Sequence, residues 1–523
     1  MASTKLKEAA NSTLSLLDGR DAKEIISGTH TAELVIALCG PIGTPLHDVA
    51  DTLKNLLETD YKYDLVSKIR LSDLISEYAD KSIISIPEKP EYKRINAQID
   101  HGNQLRKQHG KSILAELAVA KISSDRHEYK IQENSERHLP RRICHIIDSI
   151  KNEEELNLLR LVYQDMIYAI GVYSPLSARE SNLTKRGLQS GEVYQLIDRD
   201  SGEEIGEGQT VRNTFPRCDF FLRLDSGTHT QLNTRVKRFL NLILGYGIVT
   251  PTPHESAMYA AASAAVNSAC LSRQVGAAIT TRDERLVAVG WNDVPKAGGD
   301  LYLTSSRIED TEKDMRCWNH VGGGKCSNDE EKETFTAILL ADLSTVIPEA
   351  DYEQAKKIIR NSARLSGLVE FSRSIHAEMH ALLNAGKAGL DKIVGGKLFV
   401  TTYPCHSCAR HIIASGIMEV YYIEPYRKSL AIRLHGDAIT ESENDANKVQ
   451  LRPYEGVAPA KYLSLFRMAD SNERKKMGKM IKIHPSNTEP KLETSLEALP
   501  ALEALVVISL QQKGLIPGGD KND

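Results

Sequence analysis

The segments "HAEMHALLNA" (376–385) and "TTYPCHSCAR" (401–410) decide how the second half of the chain folds. His376 opens the first segment, and Cys405 and Cys408 follow a proline in the second. An imidazole nitrogen and two thiolates are ligands that zinc prefers. The cysteines stand where a strand passes into a helix, and the dipole at a helix N-terminus favours the thiolate form. The spacing therefore predicts a three-ligand Zn²⁺ site formed by His376, Cys405 and Cys408.

Glu378 gives this predicted site a catalytic character. Zinc held by three protein ligands keeps a fourth position open for water and lowers the pKa of that water to about 7, whereas a structural zinc usually has four protein ligands. Glu378, two residues past His376, can carry a proton from the water to a leaving amine. The pattern H-x-E…P-C-x-x-C is the signature of zinc deaminases. We interpret His380 as a residue of the helix surface or a neighbour of the ligands, since an H-x-x-x-H pair is the weaker alternative.

Composition sets limits on the class of protein. The chain has 523 residues, which predicts two domains, or three. A net charge of −4 and 6 % aromatic residues do not resemble the basic footprint of a duplex nucleic-acid binder. We expect a cytoplasmic protein, because the N-terminus lacks a signal-peptide core and no run of 18 apolar residues occurs. In such a compartment the eight cysteines are thiols or metal ligands.

The first half alternates strands with helices. The predicted strands are 33–40, 141–150, 165–173 and 218–225, and the predicted helices are 45–58, 111–125, 152–163 and 228–245. This alternation is typical of an α/β domain with a parallel sheet and helices on both faces.

The stretch "GIVTPTPHES" (247–256) is the best candidate for a domain boundary. We predict domains at 1–250 and 251–470 and a C-terminal tail at 471–523, in which "LEALVVISL" (502–510) could dock. The second domain begins with an Ala-rich helix and a hairpin. Its predicted elements are helix 255–269, strands 274–281 and 285–293, helices 333–347 and 351–365, strand 397–402, helix 408–417 and strand 419–426.

The stretch "ALCGPIGTPLHDVADTLKNLL" (37–57) follows a buried strand and opens a helix, as a phosphate-binding P-loop does. On the template G-x-x-x-x-G-K-[ST], Gly40 matches and Gly43 fits the nucleotide-kinase variant. The lysine position holds Leu46 and the Ser/Thr position holds His47. The chain therefore lacks the lysine charge that stabilises the transferring phosphoryl group and the hydroxyl that binds magnesium. Phosphoryl transfer by a kinase mechanism is not expected.

Asp148 ends a predicted strand and resembles the acidic residue of a Walker B strand. The segments around it, "RRICHIIDSIKNEEELNLLRLVY" (141–163) and "DMIYAIGVYSP" (165–175), resemble the later strands of nucleotide-kinase folds. The resemblance implies a degenerate P-loop, kinase-like domain. Two roles stay open for it: a nucleotide-sensing regulatory domain, or a structural scaffold.

From about 255 to 467 the chain resembles the cytidine and deoxycytidylate deaminases, on "SACLSRQVGAAIT" (268–280), "GWND" (290–293) and the zinc motif. The resemblance implies a three-layer α/β/α domain with a central mixed sheet. It also implies Asn292 as a contact to the substrate's sugar and Arg273 as a contact on the phosphate side. Loop capping and a surface ion pair are the alternatives. The aspartate after Asn292 departs from the family, where glycine is frequent.

A second zinc is a further implication, because some deoxycytidylate deaminases hold a structural zinc. Cys317, His320 and Cys326 in "CWNHVGGGKC" have ligand-like spacing. A fourth ligand is not evident, and free thiols in a loop are the alternative.

Over residues 30–470 the chain resembles the antiphage dCTP deaminases of the AvcD type, which join a degenerate P-loop domain to a deaminase domain. The segments 422–439 and 452–466 carry this part of the resemblance. It implies hydrolysis of dCTP to dUTP, and of dCMP to dUMP, which depletes dCTP during phage infection. It also implies a homo-oligomer, silencing by a small RNA in some systems, and Arg427 and Lys428 facing a triphosphate.

Three rival functions remain open. A housekeeping dCMP deaminase of pyrimidine salvage would use the same site. A polynucleotide cytidine editor would need a basic groove with stacking aromatic side chains, which the acidic balance does not favour. A binding module with an inert zinc scaffold would not need Glu378.

Overall fold

The computed structural model describes most of the chain, and the contacts divide it into two compact units. The first unit is Met1–Thr250 with Glu455–Asp523, and the second is Pro251–Tyr454. The residues described are 27–79, 86–135, 138–202, 211–225, 229–305, 314–319, 323–362, 365, 367–424, 429–442, 445–468, 475–492, 494–496 and 498–517.

Within the described residues, the first unit is built on a six-stranded sheet. Its strands are β1 (Leu34–Cys39), β2 (Leu65–Arg70), β3 (Ile143–Ile150), β4 (Ile167–Tyr173), β5 (Phe220–Arg223) and, from the far end of the chain, β12 (Gly456–Val457). The order is β12-β5-β4-β1-β3-β2. All neighbours pair in parallel except β12, which runs antiparallel to β5. The parallel sheet predicted for this half is therefore present, with an antiparallel edge.

Helices connect the strands of this sheet and cover both of its faces. The helices are α1 (Leu46–Thr59), α2 (Leu71–Tyr78), α3 (Glu91–His109), α4 (Ile113–Gln132), α5 (Glu153–Tyr163), α6 (Leu176–Lys185), α7 (Ser190–Gly202) and α8 (Leu232–Ile243). A short helix lies at Val211–Thr214. All six residues of β1 are buried, so both faces of the central strand are covered, since side chains alternate between faces. The apolar positions of α1 and α8 form one core with Leu34, Ile36 and Leu38.

The C-terminal segment differs from the predicted division of the chain. Residues from 455 onward group with the first unit, not with the second, and the predicted tail contains helix α16 (Leu499–Gln512). Helix α16 packs against α4, where the guanidinium of Arg126 donates from Nε to Glu503 at 3.0 Å. Both side chains are almost fully buried. The partners lie 377 residues apart, so no local pattern in the sequence signals this docking.

The second unit contains another six-stranded sheet among its described residues. The strands are β6 (Gly276–Thr280), β7 (Leu286–Trp291), β8 (Lys397–Thr402), β9 (Glu419–Glu424), β10 (Ile439–Thr440) and β11 (Val449–Pro453), in the order β10-β11-β9-β8-β6-β7. β6 is antiparallel to β7 and β8, and the remaining pairs are parallel. The predicted hairpin is therefore present, and the sheet is mixed.

Helices lie on both faces of this mixed sheet. They are α9 (Pro253–Ala265), α10 (Ser327–Asp342), α11 (Tyr352–Asn361), α12 (Ala377–Ala388), α13 (His406–Ala414) and α14 (Ala431–His435). Helix α9 begins at a capping box of Thr252 and Glu255, which satisfies orphan amides at its first turn. A short helix, α15 (Tyr462–Phe466), belongs to the first unit. None of the described helices has the length and apolar character needed to cross a lipid bilayer.

Two glycines let helices lie unusually close to the mixed sheet. A Cβ on Gly276 of β6 would come 1.9 Å from the carbonyl oxygen of Ala261 in α9, and one on Gly290 of β7 would come 2.3 Å from the amide nitrogen of Ala381 in α12. Real side chains do not tolerate such distances. The helices therefore seat directly on backbone, which positions the first turn of α12 at the end of the sheet.

Candidate metal centre

The structure brings His376, Cys405 and Cys408 together, as the spacing predicts. The Nδ1 atom of His376 lies 3.3 Å from the sulfur of Cys405 and 3.3 Å from the sulfur of Cys408. Ligand atoms bound to one tetrahedral zinc at about 2.0–2.3 Å lie about 3.5 Å apart. The three ligand atoms all fall within 4.8 Å of one another. The donor set and its spacing therefore fit a zinc ion.

Two helix N-termini supply these ligands. His376 is the N-cap of α12, and Cys405 is the N-cap of α13, where its sulfur accepts from the amide of Cys408 at 3.4 Å. Hydrogen bonds from Cys408 and His376 lower the pKa of the Cys405 thiol to about 4, whereas the pKa of Cys408 is raised because it shares its proton with Cys405. A divalent cation would stabilise the two adjacent sulfurs as thiolates.

Glu378 lies in the first turn of α12, buried beside the ligands. Its side chain is within hydrogen-bonding reach of Cys408, and 4 % of the residue is exposed. Burial raises the pKa of Glu378 to about 7. A carboxyl group with a pKa near neutrality can both accept and donate a proton there.

Asn292 and Arg273 lie on neighbouring loops of the same unit. The amide of Asn292 is engaged at both ends: its Oδ1 accepts from the amide of Val275 at 2.7 Å, and its Nδ2 donates to the carbonyl of Arg273 at 2.8 Å. The guanidinium of Arg273, 44 % exposed, donates to Glu424 at 2.9 Å. These contacts are the loop-capping and ion-pair arrangements that the sequence left open. Arg427 and Lys428 lie outside the described residues.

His380 is buried rather than on the helix surface. Its Nδ1 lies 3.2 Å from both the backbone nitrogen and the carbonyl oxygen of Trp291, and Asn384 contacts its Nε2 at 3.1 Å. It ties α12 to the end of β7 and is not one of the three residues that could hold the metal ion. The sequence could not show this contact, because it depends on how closely α12 packs on β7.

The candidate second zinc site is only partly described. Cys317 and Cys326 are half-buried thiols, and their sulfurs lie 4.0 Å from the hydroxyl of Ser327 and 3.3 Å from that of Ser272, respectively. His320 lies outside the described residues. Among the residues that are described, His376, Cys405 and Cys408 form the group that could hold a metal ion.

The loop after β1 in the first unit contacts side chains of the chain itself. Gly43 has φ +82°, which suits glycine. The amide of Ile42 donates to the carboxylate of Asp200 at 2.8 Å, and Lys151 donates to the carbonyl of Gly40 at 2.8 Å and to Asp200 at 3.2 Å. The carboxylate of Asp200 therefore binds the backbone amide of Ile42. Backbone amides are the groups that bind phosphate in a P-loop.

The next residues of this loop also depart from a kinase. Leu46, at the lysine position, is the first residue of α1, and its side chain is buried in the core. The ring Nδ1 of His47 lies 2.6 Å from Asp148 Oδ2. In a P-loop enzyme, magnesium is held between the Ser/Thr at the position of His47 and the aspartate at the position of Asp148. Here the side chains of His47 and Asp148 contact each other directly.

Sequence reasoning overlooked Asp293 and Arg316. Asp293 is 1 % exposed, and the guanidinium of Arg316 donates to it at 3.3 Å across the long segment between β7 and α12. Asp293 follows Asn292 in the quoted "GWND", but nothing local identifies its partner.

Comparison with known proteins places the metal centre in a recognised class. Residues 251–424 match the family profile described as the cytidine and deoxycytidylate deaminase zinc-binding region. With the group formed by His376, Cys405 and Cys408, this match supports a zinc-dependent deaminase.

Named relatives align with the same region. The chain is 46 % identical over 56 residues to ComE operon protein 2 of Bacillus subtilis (11 % of this chain, 29 % of that protein). It is 28 % identical over 169 residues to the deoxycytidylate deaminase of Enterobacteria phage T2 (31 % and 74 %). It is 26 % identical over 170 residues to the deoxycytidylate deaminase of Saccharomyces cerevisiae (32 % and 37 %). The chain thus spans less than a third of the first relative and about three quarters of the second.

One solved structure matches over almost the full length of its own chain. The dCMP deaminase from the cyanophage S-TIM5, in complex with dCMP and dUMP, aligns with 39 % of this chain and 99 % of its own, at 20 % identity. The TM-score is 0.23, too low to argue from.

Proposed function

We propose that this protein is a zinc-dependent hydrolase that deaminates deoxycytidine nucleotides, a reaction at the C–N bond of a cyclic amidine. One observation carries the proposal: Glu378, a buried carboxyl group, stands beside His376, Cys405 and Cys408. An inert zinc scaffold would have no use for that carboxyl group.

The side chains divide the chemistry between them. Zinc, when bound by His376, Cys405 and Cys408, supplies the Lewis acidity that makes water a nucleophile at neutral pH. Glu378 accepts a proton from the attacking water and delivers it to the ring nitrogen N3. It then accepts the second proton, from the oxygen that has been added at C4, and delivers that proton to the departing amine. Water and the cytosine ring thus become uracil and ammonia. Burial of Glu378 strengthens its interaction with the developing charge by excluding bulk water.

The test is Glu378→Gln, with Glu353→Gln on the exposed face of α11 as the control. We expect Glu378→Gln to keep its zinc and to lose turnover by about 10²–10⁴-fold, the usual contribution of a general acid–base. Ammonia release and zinc content measure the two effects. Near-normal turnover in a zinc-loaded Glu378→Gln protein would contradict the proposal.

The substrate class is proposed as deoxycytidine nucleotides, both dCTP and dCMP. The relatives named deoxycytidylate deaminases support the base and the sugar, and Arg273 and Asn292 lie on loops of the unit that contains the metal centre. Separate incubations with dCTP, dCMP, CTP and cytidine measure the preference. Turnover of dCMP alone would favour pyrimidine salvage. Turnover of an oligonucleotide, with silence on all four, would favour the polynucleotide editor.

For the first unit we propose a degenerate P-loop domain that reads a nucleotide without phosphoryl transfer. Three features support a degenerate P-loop: the strand–loop–helix passage at Gly40, the buried Leu46, and the direct contact of His47 with Asp148. Calorimetric titration of the full-length Glu378→Gln protein with nucleotides tests it. A binding event additional to that at the metal centre supports a sensor, and a single binding event would favour a scaffold.

At the level of the cell we propose depletion of dCTP in antiphage defence by a homo-oligomer whose activity a small RNA can silence. This rests on the resemblance of residues 30–470 to the AvcD-type enzymes. Plaque counts and dCTP pools in infected cells that express the wild type or Glu378→Gln test it. Equal protection by both proteins would exclude a role for deamination.

A further inference from the structure

Asp293 joins three segments of the second unit. Its Oδ2 accepts from the amide of Ala269 at 3.0 Å, and its Oδ1 accepts from the amide of Val294 at 2.8 Å. Its carbonyl oxygen accepts from the amide of Ile375 at 3.0 Å, directly before the metal ligand His376. One residue thus binds both Ala269, at the start of the segment before β6, and Ile375, the neighbour of the metal ligand His376.

The segment 269–275, called here the 269–275 loop, depends on these bonds. It runs between α9 and β6 without helix or strand of its own. Asn292 and Asp293 bind it at the amides of Ala269 and Val275 and at the carbonyl of Arg273. The loop lies beside the chain that leads to the metal ligand Cys405, since Arg273 donates to Glu424 at 2.9 Å and the carbonyl oxygen of Glu424 accepts from the amide of Tyr403 at 2.8 Å.

Arg316 fixes the carboxylate of Asp293. The guanidinium donates to Asp293 Oδ2 at 3.3 Å, to Thr304 Oγ1 at 3.0 Å and to both oxygens of Asp314 at 2.6 to 3.0 Å. Arg316 is 3 % exposed. The planar, forked guanidinium spans these acceptors at once, which a lysine ammonium cannot do.

A buried ion pair of this kind is weak evidence for stability, because desolvation offsets much of the attraction. What it does provide is a defined direction for the Asp293 carboxylate. Without Arg316 the carboxylate could rotate away from Ala269 and release the 269–275 loop.

We propose that Arg316 is a positioning residue: through Asp293 it holds the 269–275 loop, with Arg273, in the shape that binds the sugar–phosphate end of the nucleotide. The inference rests on the proposed deaminase function. Arg316 therefore sets KM, and the chemical step at Glu378 is left largely unchanged.

The test compares Arg316→Lys with Arg360→Lys in the full-length protein. Arg360 binds Asp329 and Glu333 and joins α11 to α10 within the same long segment, without contact to the 269–275 loop. We expect Arg316→Lys to raise KM by about 10- to 100-fold, the range expected when a buried charge-assisted hydrogen bond is lost. Zinc content and kcat stay close to wild type, and Arg360→Lys leaves KM unchanged.

Asp293→Asn is the second variant, because one of its two acceptors becomes a donor. Its KM should rise similarly, and the double variant should be no worse than either single change, since the two residues act as one unit. An unchanged KM in zinc-loaded Arg316→Lys would overturn the proposal. A lower kcat at constant KM in Arg316→Lys would also overturn it. The same holds if Arg316→Lys loses zinc while the molecules that keep zinc have a normal KM.

Hydrogen exchange provides a readout that does not depend on the substrate. Amides in a peptide covering 268–276 should exchange about threefold to tenfold faster in Arg316→Lys, as expected for a weakened hydrogen bond. A wild-type protein that deaminates nothing would refute the proposed function, while the exchange experiment would still decide the role of Arg316. Unchanged exchange would refute that role alone.

Discussion

The titration of His145 couples pH to the folding of the first unit. His145 lies in β3, and burial lowers the pKa of its ring to about 4. Asp125 and Glu33 oppose this shift, and Arg126 and Arg141 reinforce it. The folded ring is therefore neutral at pH values where an unfolded histidine, with a pKa of about 6.5, takes up a proton.

The sign of the pH dependence follows from this difference. Stability that is present above about pH 6.5 is lost as the pH falls toward about 4, by at most about 3 kcal/mol. His145→Phe should remove this part of the acid sensitivity, whereas His127→Gln, an exposed change on α4, should not. Urea unfolding by circular dichroism between about pH 7 and about pH 5 measures it. Parallel curves for His145→Phe and wild type would contradict the assignment.

At the scale of elements, the seating of α12 on β7 controls the metal centre. Gly290→Ala would place a methyl group 2.3 Å from the amide nitrogen of Ala381 and 2.6 Å from the carbonyl oxygen of Ala377. Overpacking of this kind costs about 1–3 kcal/mol. Because α12 begins at His376, its displacement should also weaken zinc binding.

Thermal unfolding and competition with a zinc chelator measure the two consequences of Gly290→Ala. Gly191→Ala in α7 is the matched control, because a Cβ there meets nothing within 4 Å. It should be neutral, or stabilising by about 0.4–1 kcal/mol. Normal zinc affinity in a destabilised Gly290→Ala protein would show that the helix and the site are not coupled.

At the scale of the whole molecule, the two units should respond differently to loss of the metal. When the metal ligands come together only in the folded protein, the free energy of metal binding adds to the stability of the folded state. The ligands all lie in Pro251–Tyr454, and so do both tryptophans, Trp291 and Trp318. Tryptophan fluorescence therefore reports on the second unit alone.

Chelation should lower the fluorescence-detected melting temperature by about 10 °C, the shift expected from a few kcal/mol of binding energy. The remaining transition, followed by circular dichroism, should stay in place, and added zinc should restore the first. A fluorescence transition that does not move on chelation would mean that the metal adds nothing to folding.

Local patterns in the sequence were enough to predict the ligands, the carboxyl group beside them and most strands and helices. His376 and Glu378 occupy one helical turn, and C-x-x-C occupies another, so short-range spacing alone brings their chemistry together. Strands β1 and β4 are continuous apolar runs, and that signal is also local. Strand β2 and helices α2 and α3 were not predicted. Helix α3 is strongly polar, so its periodicity is weak.

The tertiary structure decided what depends on partners distant along the chain. It assigned the C-terminal segment to the first unit through β12 and the contact of Glu503 with Arg126, and it placed Asp200 on the loop at Ile42. It also joined Arg316 to Asp293. A hydrogen bond or ion pair between remote residues leaves no periodic trace in the sequence, because its geometry exists only once the sheets and helices have packed. The sequence by itself thus determined the chemistry of the metal centre, and folding alone determined what holds that centre in place.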